Sequence, residues 1–228
     1  MALTAASVIN RVRTQLIDEG TSPRWTDTEL LRYLSDAERT IASIDPTSTR
    51  TTASVLLAEG SRQALPSGGQ KLISIDCNMG TAGATPGKAV RITTRELMDD
   101  FDINWQGASK SSVIKNFMFD PMDEESYYVY PPSNALGYVR IIYSILPTEL
   151  TATTDSLTVG DVYVPALTDF VLYRAHLKDS DFSAGSRQAD YYYQAFTRFL
   201  LGEDKGAIES NPNLETTEFD ARSKGRAR

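Results

Sequence analysis

The sequence predicts an α+β fold. It reads as an antiparallel helical bundle made from N- and C-terminal helix pairs, with a β-rich insertion and an extended C-terminal arm. Three observations predict it. Apolar residues recur every three or four positions at both ends of the 228-residue chain, alternate in β-branched blocks through its middle, and thin out after Gly202. Residues 1–46 and 160–202 are assigned to the bundle, 47–159 to an insertion projecting from it, and 203–228 to the arm.

The first helix is expected over 4–19. Thr4 is its cap, Leu3 and Val8 stand at the spacing of a hydrophobic staple, Val8, Val12 and Leu16 continue one stripe, and Gly20 ends it. The second, over 27–44, is the best specified. Thr26 caps it, Glu29 stands where it can complete a capping box, and Trp25 and Leu30 form the staple. Leu30, Leu34, Ala37, Ile41 and Ile44 then make one apolar face, and Pro46 stops the helix because its ring disfavours helical geometry at Asp45.

From Arg50 the pattern changes. Residues 50–58 read as a strand, "EGSR" as a turn back toward "QALP", 71–76 as another strand, and Gly80 to Gly87 as a loop. Thr93 and Glu96 mark the start of a short helix reaching about Phe101. Residues 113–120, 126–132 and 137–145 read as a β-meander. Helical spacing returns over 165–178, with Leu167, Phe170, Val171, Arg174 and Ala175, and over 187–201, with Ala189, Tyr192, Tyr193, Phe196, Phe199 and Leu200.

Composition narrows the function. A net charge of −7 argues against a general nucleic-acid coat. Four positive charges fall in the last seven residues, so the chain before them carries −11 (the net −7 less those four). One cysteine, Cys77, allows neither an intramolecular disulfide nor a cysteine zinc cage. No apolar run has the length of a membrane span, and the Met1–Thr4 start lacks a signal peptide's features, so a soluble intracellular product is expected.

Catalytic patterns are not found. His176 is the single histidine and no G-x-S-x-G elbow accompanies it. Asp99, Asp100 and Asp102, and then Asp120, Asp123, Glu124 and Glu125, lack calcium-loop spacing and read as a solvated helix end and a hairpin turn. The Gly80–Gly87 loop lacks the residues of a phosphate cradle. No catalytic residue, metal ligand or cofactor is expected.

Aromatic placement says more. Tyr191, Tyr192 and Tyr193 sweep roughly 200° of a helix, more than one core face can take. On a strand, Tyr128 and Tyr130 share a face and Tyr127 takes the other. All six are read as candidates for contacts with other protein surfaces. In the arm, Ile208, Leu214 and Phe219 are the spaced apolar anchors, and Arg222, Lys224, Arg226 and Arg228 the charges that would meet carboxylates. Such a segment buries too little to fold alone and is expected to order on a partner.

The phrases "WTDTELLRYLSDAERTIASIDP", "LAEGSRQALPSGG", "LISIDCNMG", "TPGKAVR", "YYVYPP", "IIYSILP" and "VYVPALTDFVLYRAHLKDSDF…YYQAF" occur in an order that resembles the phage adaptor family across about residues 20–200. These are head-to-tail connectors of tailed bacteriophages. The resemblance implies a virion protein at the head–tail junction, assembled in the host cytoplasm as a ring of twelve copies docked on the portal. Such a ring extends the DNA channel, passes viral DNA without specific binding, and presents a platform to a tail-tube or nozzle protein. It implies no active site and no membrane. The arm lies beyond the matching stretch. Alternative readings are a tail-completion or tail-tube protein, a virion-associated wall hydrolase using Asp/Glu pairs, and a DNA-end-binding module using the basic arm.

Overall fold

The computed structural model describes residues 3–20, 23–120, 122–178 and 183–209. The chain divides into two compact units. One takes the residues up to Asp45 and those from Thr148 onward; the other is Pro46–Pro147.

The first unit is helical: α1 (Ala5–Leu16), α2 (Asp27–Ile44), α4 (Val164–Lys178) and α5 (Ser183–Glu209). The α+β class fits, but the expected bundle of two antiparallel helix pairs is corrected. α1, α2 and α5 each pack on α4, which is their shared partner. The reason lies in α4 itself. Its buried residues, among them Val164, Ala166, Leu167, Phe170, Leu172 and Ala175, cover well over half the circumference at about 100° per residue. A helix apolar on so many sides has to be enclosed, whereas a stave of a bundle needs a single stripe.

Local signals account for the helix ends unevenly. The Thr26 hydroxyl accepts from the Glu29 amide at 3.3 Å, while the Glu29 carboxylate is drawn to Lys178 Nζ (2.7 Å) and Tyr33 Oη (2.9 Å) instead of closing a box. Lys178 holds the Glu29 pKa below the ordinary carboxylate value. Thr4 makes no side-chain cap; the first amides of α1 donate to the carbonyls of Asp155 (2.9 Å) and Thr153 (2.8 Å). α1 also stops before Gly20, because Ile17 takes the left-handed conformation at φ 55°. Arg13 fixes the turn that follows, reaching Asp18 at 3.1 Å, Asp27 at 2.5 Å and the Trp25 carbonyl at 3.0 Å.

Residues 148–159, read from sequence as the end of the insertion, pack on the helices. Leu150 and Val159 join the helical core. The Leu150 amide donates to Ser35 Oγ at 3.0 Å, and those of Thr158 and Val159 donate to Glu38 Oε1 at 2.6 and 3.2 Å.

The second unit holds two sheets. β7 (Tyr138–Ile145) lies between β1 (Arg50–Leu56) and β3 (Gly69–Asn78), all antiparallel. The other sheet runs β2 (Glu59–Ala64), β6 (Ser126–Asn134), β5 (Asn116–Phe119) and β4 (Arg91–Ile92), with only the short β4–β5 pair parallel. Glu59–Arg62, expected as a turn, is therefore strand. The expected meander is also corrected, since β7 leaves β6 for the other sheet. Leu72, Ile75, Val139 and Ile141 from one sheet and Phe117, Tyr127 and Val129 from the other form a single cluster. Alternating strands need a second sheet to cover that common apolar face. Asn78 pins the long loop inside this unit, donating to the carbonyls of Lys88 and Ile114 and accepting from the Ile114 amide, each at 2.8 Å. α3 (Arg95–Phe101) starts one residue later than expected, with Thr94 as its cap.

Candidate interaction surfaces

In the helical unit the three tyrosines of α5 have different surroundings. Tyr192 is half-buried and stacked on His176, ring centroids 5.5 Å apart and planes 4° from parallel. Burial, then Asp169 and Tyr191, push its pKa up. Tyr193 leans on Tyr173 at 5.0 Å yet stays 49% exposed, and Tyr191 is 67% exposed. Tyr191 stands in a row with Arg187, Gln194, Arg198 and Leu201, all exposed and spaced four, three, four and three residues apart. That spacing makes one stripe along α5.

In the β unit, alternation along β6 sends Tyr127 and Val129 into the core between the sheets and Tyr128 and Tyr130 to the other face. Tyr127 is fully buried and its hydroxyl has no hydrogen-bond partner; burial raises its pKa. It is thus a core residue, and its candidacy as a contact residue is lost to packing. Tyr127→Phe removes only that stranded hydroxyl, which costs about 1–3 kcal/mol to bury unpaired. We expect its urea midpoint to equal or exceed that of the wild type; a lower midpoint would reveal a partner for the hydroxyl.

Tyr128 and Tyr130 support α3. They pack with Met98, Trp105 and Met118, Trp105 meets Tyr128 edge-on at 5.9 Å, and Arg95 lies over the Tyr128 ring. Trp105 Nε1 donates to Asp99 at 2.7 Å, tying the loop after α3 to the helix. The outer side of α3 is left uncovered. Leu97 is 62% exposed, Phe101 78% and Ile103 86%, with Glu96 and Asp100 exposed beside them. This patch is not legible in the sequence. Leu97 and Phe101 stand at i and i+4, but seven residues are too few for periodicity to tell a covered face from an open one.

Most carboxylates of the two acidic clusters have local partners. Asp102 accepts from the Asn104 amide (2.9 Å) and Asp120 from that of Met122 (3.1 Å). Asp123 meets Arg62 at 2.9 Å and Glu124 meets Lys71 at 2.8 Å. Among the described residues no three His, Cys, Asp or Glu side chains gather as metal ligands, and no helix is long and apolar enough to cross a membrane.

Ile208 falls in the last turn of α5, which runs through Gly202 to Glu209, so the expected break at 203 is corrected. Leu214, Phe219, Arg222, Lys224, Arg226 and Arg228 lie outside the described residues.

Two exposed aromatic and apolar faces on well-packed units suit a protein whose work is contact. The sequence profile of the SU10 adaptor protein family matches residues 3–214. The chain belongs to the SU10 adaptor protein family. No curated protein matches it. SU10 adaptors are a phage head–tail adaptor family, which makes this chain a virion component of the adaptor class, whose contacts are with portal and tail components. Residues 215–228, with all four terminal basic side chains, fall outside the family match.

Proposed function

We propose that this SU10 adaptor assembles as a ring of twelve copies that docks beneath the portal, extends the DNA channel and offers a platform to a tail-tube or nozzle protein. The observation that carries this reading is the family match across residues 3–214. Several features support it. Tyr191 and Tyr193 give α5 an aromatic outer face, Tyr128 and Tyr130 hold α3 so that its apolar side faces out, and the −11 charge before the last seven residues would let DNA slide without sticking. The role is structural, with no reaction assigned to any residue. The segment after Glu209 serves as a tether to portal, with Leu214 and Phe219 as anchors and the terminal basic residues as charge.

Assembly on portal tests the α5 contact. Tyr191→Ala should keep the helical circular dichroism of the wild type while weakening ring formation at least tenfold, a truncation cost of about 1.4 kcal/mol or more. Ring formation undiminished in both Tyr191→Ala and Tyr193→Ala would place the contact on another surface.

A further inference from the structure

The two uncovered faces match in chemistry. The outer side of α3 offers Leu97, Phe101 and Ile103 beside the carboxylates of Glu96 and Asp100. The α5 stripe offers Tyr191 and Leu201 (67% and 56% exposed) with the guanidinium group of Arg198 on the same row. Apolar groups on one face meet apolar and aromatic groups on the other, and acid meets arginine. Tyrosine and arginine are also among the residues enriched where proteins meet. The α3 face is not complementary to itself, since two copies of it would oppose carboxylates.

We infer that the α3 face of one copy receives the Tyr191–Leu201 stripe of α5 from the next copy. Each copy then uses one face as donor and the other as acceptor. This head-to-tail contact closes into a ring when the rotation between copies closes, and a face-to-itself contact would stop at a dimer. The inference rests on the ring reading above and supplies its interface. It also gives α3 a purpose: Tyr128, Trp105 and Met98 hold a helix too short to be stable alone so that its apolar side can be offered outward.

Mixed-cysteine cross-linking tests it. With Cys77→Ser as background, Ile103→Cys and Gln194→Cys, which leave Phe101 and Tyr191 in place, are made separately and together, and each is oxidised after assembly on portal. The two single variants mixed should give a covalent dimer, either one alone should give none, and the double variant should give a ladder of multimers. Charge reversal gives a second reading. Glu96→Arg with Asp100→Arg should lower ring yield at least tenfold, and adding Arg198→Glu should restore it. Rings that form normally with no mixed dimer, an Ile103→Cys homodimer, or a double variant that closes only on itself would each overturn the inference while leaving the ring reading intact. Wild-type protein that stays monomeric by sedimentation, with and without portal, would overturn both.

Discussion

Deleting residues 210–228 should abolish portal binding, lowering affinity at least a hundredfold, while the helical and β units stay folded. The cut falls after α5 ends at Glu209, so no described element is shortened. It removes two apolar anchors, Leu214 and Phe219, and the four positive charges at the end of the chain. A segment with so few apolar residues gains its binding energy only when ordered on a partner. On the proposed ring reading, such a tether would let two rings hold together without matching over a broad flat face. The charged part should weaken with salt, since screening lengths shrink to about 8 Å at physiological ionic strength. Replacing Arg222, Lys224, Arg226 and Arg228 with Gln should therefore flatten the salt dependence and leave the apolar contribution. Pull-down and fluorescence titration with portal read both effects. Full affinity of the truncated protein at physiological salt would refute the tether.

The second large effect belongs to Glu38, at 0% exposure. Its Oε1 accepts both the Thr158 and Val159 amides, and Oε2 has no partner. Glu38→Ala strands two amides and opens a gap beneath the 148–159 segment, so it should cost about 2–4 kcal/mol and loosen that segment first. Burial raises the Glu38 pKa above 4.5 in spite of the two amides. The folded protein therefore binds this proton more tightly than the unfolded chain does. The sign follows: Glu38's contribution is fully present below the unfolded value and is lost as pH rises through the folded one. Glu38→Gln keeps an accepting oxygen and removes the ionisation. The stability of wild type relative to Glu38→Gln should thus fall as pH rises from 4 to 7, measured by urea denaturation followed through helical circular dichroism. A difference that grows with pH would mean that the carboxylate is stabilised by its surroundings, contrary to its burial.

These two cases also show what a sequence carries. Helix identity was legible where a stripe, a staple and a stop agree, as with Trp25, Leu30 and Pro46 around α2. Segment class was legible too: strands appear where β-branched residues alternate, and Tyr127 separates from Tyr128 and Tyr130 as a pleated strand requires. Pairing was not. Nothing local in "GYVRIIYSI" says that β7 will abandon β6 for β1 and β3, because that choice depends on where the second sheet stands. The spacing of Leu167, Phe170, Val171 and Ala175 marks α4 as a helix but not its enclosure, which depends on the three helices that pack on it. The role of Glu38 is not legible locally, since its partners lie 120 and 121 residues along the chain. The α3 patch was hidden for the opposite reason: its leucine and phenylalanine look like core, and the core does not use them.

Ring formation on portal is the central claim, and the mass of the complex tests it most directly. Purified protein mixed with its portal should add twelve copies of the 25.2 kDa chain, about 300 kDa, in a single closed species by native mass spectrometry. Portal that gains no mass, or gains copies without a fixed count, would contradict it.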